Sequence, residues 1–108
     1  MNTKTFKLTV TKNRKNPSEG KISIEGDLTL KNIKEIKEKL LNSTKTYKSL
    51  NIQVKKVDNL DITFIQLLIA VKKSFKAVSI NTEIPEHAEG IINNSGLQEY
   101  LNTNIIAN

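Results

Sequence analysis

Apolar and polar residues alternate along Phe6-Lys7-Leu8-Thr9-Val10, the period-two signature of a half-buried strand. Lys12 to Gly20 carries Asn13, Asn16, Pro17, Ser18 and Gly20 and reads as a loop. Alternation resumes over Lys21-Ile22-Ser23-Ile24-Glu25 and stops at Gly26-Asp27, so the first two strands are expected as an antiparallel hairpin. The period then changes. Leu30, Ile33, Ile36, Leu40 and Leu41 fall on one helical stripe, with Thr29 as N-cap and Glu35 one turn ahead of Lys39. After a polar turn at Asn42–Lys48, Leu50, Ile52 and Val54 mark a third strand, which Val57 and Leu60 continue beyond a kink at Lys55-Lys56.

A second helix is expected from about Ile62 to Phe75, with Phe64, Leu67, Leu68, Val71 and Phe75 as its core stripe. Val78 and Ile80 mark a short fourth strand. Pro85 suits the first turn of a third helix, which runs to about Asn94 and stops at Asn94-Ser95-Gly96. Leu97 to Leu101 reads as one further helical turn, and the tail from Asn102 as either frayed or a minor added element. The order β-β-α-β-α-β-α, with right-handed crossovers, implies an α/β fold. Its four- to five-stranded, mostly parallel sheet has an antiparallel first strand and three to four flanking helices. One domain is expected over residues 1–108, with its core at about 5–101 and a tail at 102–108.

Composition removes several function classes. The chain has no cysteine, which excludes disulfides, thiolate metal sites and cysteine nucleophiles. Its start, Met1 to Phe6, lacks the apolar stretch of a secretory signal, and no apolar run approaches the roughly 20 residues that span a bilayer. A cytoplasmic protein without membrane insertion is expected. The formal charge is +6, yet Arg14 is the only arginine, and base reading favours the bidentate arginine fork. Many lysines alternate with glutamate, as in Lys34-Glu35-Ile36-Lys37-Glu38-Lys39, which describes a solvated surface. Only Lys4, Lys7, Lys12, Arg14, Lys15 and Lys21 form a locally basic group, the one basis for a nucleic-acid or anionic-membrane binder. His87, with Glu83, Glu86 and Glu89 near it, lacks a second histidine and reads as solvent-exposed rather than metal-binding. No phosphate loop, Ser/His/Asp set or dinucleotide fingerprint occurs, so neither an enzyme nor a cofactor is expected.

Three segments, in order, resemble the STAS domain family, which includes bacterial anti-anti-sigma factors. Ile24-Glu25-Gly26-Asp27-Leu28-Thr29-Leu30-Lys31-Asn32 is similar to the family's strand–Gly-x-Leu–helix entry. Leu50 to Val54, Val57 and Leu60-Asp61-Ile62-Thr63-Phe64-Ile65-Gln66-Leu67-Leu68 are similar to its central strand, loop and Asp-Ser-Ser-Gly-Leu helix start. Ile91-Ile92-Asn93-Asn94-Ser95-Gly96-Leu97 is similar to the closing helix and Gly-Leu turn. The resemblance implies a bacterial signal-transduction module that binds a regulatory protein: an anti-sigma-like kinase or a chemotaxis-type signalling protein. An accessory subunit of a lipid-transport ABC ATPase is the alternative within the family, and a homo-oligomer stays open. Where members are phosphorylated, the modified hydroxyl corresponds to Thr63 and the acidic residue ahead of it to Asp61. Ile62 stands in place of the first Ser, Phe64 in place of the Gly, and Gln53 where an acidic residue is common.

The residues around this junction carry two physical expectations of their own. A hydroxyl in the first helical turn meets free N–H groups and the positive end of the helix dipole, which favour a phosphate; the plainer reading is that Asp61 or Thr63 caps the helix. At about 100° per residue, Ile62, Ile65 and Ile69 fall opposite the core stripe, flanked by Gln66, Lys72 and Lys73. That face is expected to dock a partner, with Asp61, Ile62, Thr63, Ile65, Gln66 and Ile69 at the contact.

Overall fold

The computed structural model describes residues 5–75, 77–86 and 90–91, and the backbone of 102–106. Strand β1 (Phe6–Lys12) pairs antiparallel with β2 (Glu19–Leu28) in an unbroken register from Phe6 opposite Gly26 to Lys12 opposite Gly20. Helix α1 (Ile33–Thr46) leads to β3 (Ser49–Leu60), helix α2 (Ile62–Ser74) to β4 (Val78–Pro85), and β5 (Asn102–Ile106) closes the sheet. The strand order is β1-β2-β3-β4-β5, with every pair after the first parallel.

Sequential parallel order has a geometric consequence. Right-handed crossovers that all advance in one direction lay their helices on the same face of the sheet. Burial follows that rule. Ile22 and Ile24 of β2, Leu50, Ile52 and Val54 of β3, and Val78, Ile80 and Ile84 of β4 are buried. With Ile36 and Leu40 of α1 and Phe64, Leu67, Leu68 and Val71 of α2 they make one core cluster. The residues between them on the strands are polar: Lys21 and Ser23, Asn51 and Gln53, Ser79 and Asn81. Alternation therefore survives even in the parallel strands, because the described residues cover only one face.

The kink expected at Lys55-Lys56 is a bulged stretch inside one long strand. Between Ile24 and Asp27 the register shifts twice, from Val54 to Val57 to Asn59, and Lys56 turns with a φ of +50°. Gly26, opposite Val57, has a φ of +99°, and a Cβ there would stand 2.5 Å from the Thr5 carbonyl oxygen. Gly20 is the other glycine the packing requires, since its missing Cβ is where the ring of Tyr47 lies.

Four expectations need correction. Leu30 is not in α1, which begins at Ile33 after a turn closed by Asn32 N–H to Thr29 O at 2.9 Å. Thr29 does not cap that helix, because its hydroxyl donates to Asp27 Oδ2 instead, at 3.0 Å. Leu41 lies on the solvent side of α1, whose buried residues are Ile36, Leu40 and Ser43. Pro85 ends β4 rather than opening a helix; a strand-end position with no N–H required explains how a proline serves there. Glu86 is in a 3₁₀ turn, Gly90 and Ile91 are helical, and the other residues of the expected third helix lie outside the described residues, as do His87, Glu89 and Leu97 to Leu101. The helices described are thus fewer than the three to four expected. The segment from Asn102, expected as either frayed or a minor added element, is an added strand that pairs with β4 from Asn81 opposite Asn102 to Pro85 opposite Ile106.

Candidate functional site

Strand β3 runs out at Leu60, and the next residue starts α2 as its N-cap. Asp61 is extended, with φ −132° and ψ 176°, which points its carboxylate back at the first helical turn. Oδ1 accepts from the backbone N–H of Thr63 at 3.1 Å and of Phe64 at 3.4 Å, and from the Thr63 hydroxyl. Oδ2 faces the other way and accepts from the N–H of Leu30 at 2.7 Å. One side chain thus caps α2 and holds the turn that precedes α1, a contact between residues 31 positions apart in sequence.

That turn has a second clamp. Asp27 is buried, and its Oδ2 accepts from the Thr29 hydroxyl at 3.0 Å and from Asn32 Nδ2 at 3.1 Å. Asn32 Nδ2 also reaches the Asp27 carbonyl, at 2.9 Å. Asp27, Leu30 and Asn32 are not among the site residues expected from sequence. The signal available is local: Asp two residues before Thr, with Asn three further on, is a side-chain-to-backbone turn pattern.

Burial pushes the Asp61 carboxyl upward, but the Thr63 hydroxyl and the N–H groups of Leu30, Phe64 and Thr63 outweigh it, and the net shift is downward from 3.8. The sign for stability follows. The folded state holds the carboxylate more tightly than the unfolded chain, so the contribution is full above the unfolded value and is lost as pH falls through the lowered folded one. Asp61→Ala should lower stability by about 1–2 kcal/mol near neutral pH. That difference from the parent chain should shrink as urea titrations move below about pH 4, the ordinary aspartate range. A difference constant across that range would detach the carboxylate from the cap.

The expected site residues are placed as follows. Asp61 and Thr63 are partly exposed and bonded to one another. Ile62, at 43 % exposure, and Gln66 face solvent. Ile65 does not: it is 0 % exposed and belongs to the core, and Ile69 packs partly buried against the same cluster. The outward strip of three isoleucines is therefore absent. Its reason lies in which flank the helix turns to the sheet. Lys72, two turns after Ile65, donates its ammonium to the Val78 carbonyl at 2.6 Å, which places that flank over β4. A helix on a two-layer sheet is covered below and along this flank, so its buried arc exceeds one stripe.

The corner gains a different apolar residue. Leu30, 65 % exposed, is tied by its N–H to the carboxylate next to Ile62. Lys4 of the basic group lies outside the described residues, and the lysines on the hairpin strands are dispersed. Lys7 stands opposite Glu25, Lys21 opposite Thr11, and Lys12 on the alternate face opposite Gly20. Among the described residues no three His, Asp or Glu side chains are grouped to hold a metal ion, and no helix is long and apolar enough to cross a membrane.

A sequence model of the family described as "Mlab, STAS domain" matches residues 11–101. No curated protein matches the chain.

Proposed function

The chain belongs to the STAS domain family, and from that premise we propose that it is a non-enzymatic regulatory module that docks a protein partner at the Asp61 corner. One observation carries this reading: the Asp61 carboxylate locks two separate segments together and leaves Leu30 and Ile62 exposed beside it. Exposed aliphatic side chains on a rigid, polar-rimmed corner suit a partner that buries them, with little ordering cost on this side. The contact is Leu30, Asp61, Ile62, Thr63 and Gln66, with Ile65 and Ile69 supporting α2 from beneath.

The same hydrogen bonds favour a partner held constitutively over one released by phosphorylation. The N–H groups of Thr63 and Phe64, which would receive a phosphate, already serve Asp61. A phosphoryl group on Thr63 would also lose the hydroxyl's donated bond and set about two negative charges against the carboxylate. Constitutive docking fits an accessory subunit, for example of a lipid-transport ABC ATPase, better than a kinase-switched anti-anti-sigma factor.

Leu30→Lys combined with Ile62→Lys should remove at least about nine tenths of the partner that co-purifies with the chain, while the thermal midpoint moves by no more than a few degrees. Full retention of the partner by that variant would sink the corner. Intact-mass analysis of the chain from its own cells should find Thr63 unmodified, and stoichiometric phosphate there reverses the preference for a constitutive complex.

A further inference from the structure

The outer edge of β1 has no partner strand among the described residues. Which backbone groups it leaves free can be read from both ends of the hairpin. Asp27 N–H donates to Thr5 O at 2.9 Å, and Asn13 N–H donates to Glu19 O at 3.0 Å. Thr5 and Asn13 therefore turn their backbone toward β2, and with the period of two so do Lys7, Thr9 and Thr11. Phe6, Leu8, Val10 and Lys12 present their N–H and C=O groups outward. Beside this edge lies a groove floored by Leu8 and Val10 and walled by Lys39, Asn42, Ser43, Thr46 and Tyr47. Val10 is 38 % exposed.

We propose that β1 pairs antiparallel with β1 of a second copy of this chain, about a two-fold axis at Thr9, so that two five-stranded sheets become one. Thr9 is the midpoint of the seven-residue strand, and only this register uses its full length. It sets Leu8 opposite Val10 of the copy as a hydrogen-bonded pair, which is what outward-facing backbone at both positions requires. The apolar floor of each groove then meets its equivalent. Thr9 meets Thr9, Lys7 meets Thr11, and Lys12 meets Phe6. Lysines on an edge ordinarily oppose such pairing, but here Lys7 and Lys12 each face a neutral residue across the new strand pair, so no like charges are set directly opposite. A single strand pair and its flanking groove make a small interface, and a dissociation constant on the order of micromolar to tens of micromolar is expected.

The absence of cysteine in the chain supplies a clean reporter. Thr9 would sit directly opposite its equivalent in a non-hydrogen-bonded pair, with Cα atoms about 4.5 Å apart, within disulfide reach. Thr9→Cys should form a covalent dimer under mild oxidation, and Thr11→Cys, displaced from the axis, should not. In sedimentation equilibrium of the full chain, mass should rise toward the dimer with concentration. Val10→Pro removes only an outward N–H, so the β1–β2 ladder stays intact while dimer affinity falls by about tenfold or more. A chain that stays monomeric to submillimolar concentration overturns the proposal. So does cross-linking of Thr11→Cys as fast as Thr9→Cys, a result that stands even if Val10→Pro fails to fold.

Discussion

Ile65→Lys should unfold the domain, although the helical wheel alone places this residue outside. Ile65 is 0 % exposed and belongs to the cluster that joins α2 to the sheet. Truncating such an isoleucine to alanine costs about 2–5 kcal/mol. Lysine adds the cost of a buried, unpaired charge, on the order of several kcal/mol more. Domains of this size hold about 5–15 kcal/mol in total, so the sum consumes most or all of it. Circular dichroism should show loss of the native signal, or a midpoint lowered by on the order of 20 °C or more. Ile65→Val should cost only about 0.5–1.5 kcal/mol. If the Ile65→Lys variant melts like the parent, the residue returns to the surface and the three-isoleucine docking strip is reinstated. The contrast with Leu30→Lys and Ile62→Lys, which should leave folding nearly intact, separates the core face of the junction from the proposed binding face.

Gly26→Val should be nearly as damaging, for a backbone reason. At a φ of +99° any side chain is strained, and a Cβ would press on the Thr5 carbonyl from 2.5 Å. That carbonyl is not free to retreat, because it accepts the N–H of Asp27. Left-handed strain of about 1–3 kcal/mol and overpacking of about 1–3 kcal/mol combine. A midpoint drop on the order of 10 °C or more is expected in thermal melts. The variant should also weaken the proposed docking, since Asp27 anchors the turn that presents Leu30. A Gly26→Val chain as stable as the parent would show that the bulge tolerates an ordinary residue.

Strands and helices are legible in the sequence where one face is buried and the period is clean. Phe6 to Val10, Lys21 to Glu25 and Leu50 to Val54 alternate as strands, and the last two alternate in burial as well. The order of elements, and the antiparallel start of a parallel sheet, follow from that reading. Periodicity is less informative where tertiary bonds decide. Leu30 continues a helical stripe on paper, but Thr29 binds Asp27 and the Leu30 N–H goes to Asp61, so a turn replaces the first helical residues. Ile65 misleads for the opposite reason, because a helical wheel knows nothing of the strand lying under its flank. Asp61 as a cap is visible from its type and position, since Asp before an apolar run is the ordinary N-cap signal. Its second bond, to a residue 31 positions earlier, has no local signature at all.

The one-sided sheet has a consequence for how this protein tolerates change. All of its described core lies in a single seam between the sheet and two helices, and the opposite face of the strands is polar. Residues such as Gln53 and Ser79 are exposed and answer mainly to water and to their cross-strand neighbours, so drift there is cheap and nearly independent from site to site. Residues along the seam share one layer of contacts, and a change at any of them is felt by the rest. The molecule is in this sense two sequences interleaved on the same strands, one free to wander and one that can move only in concert.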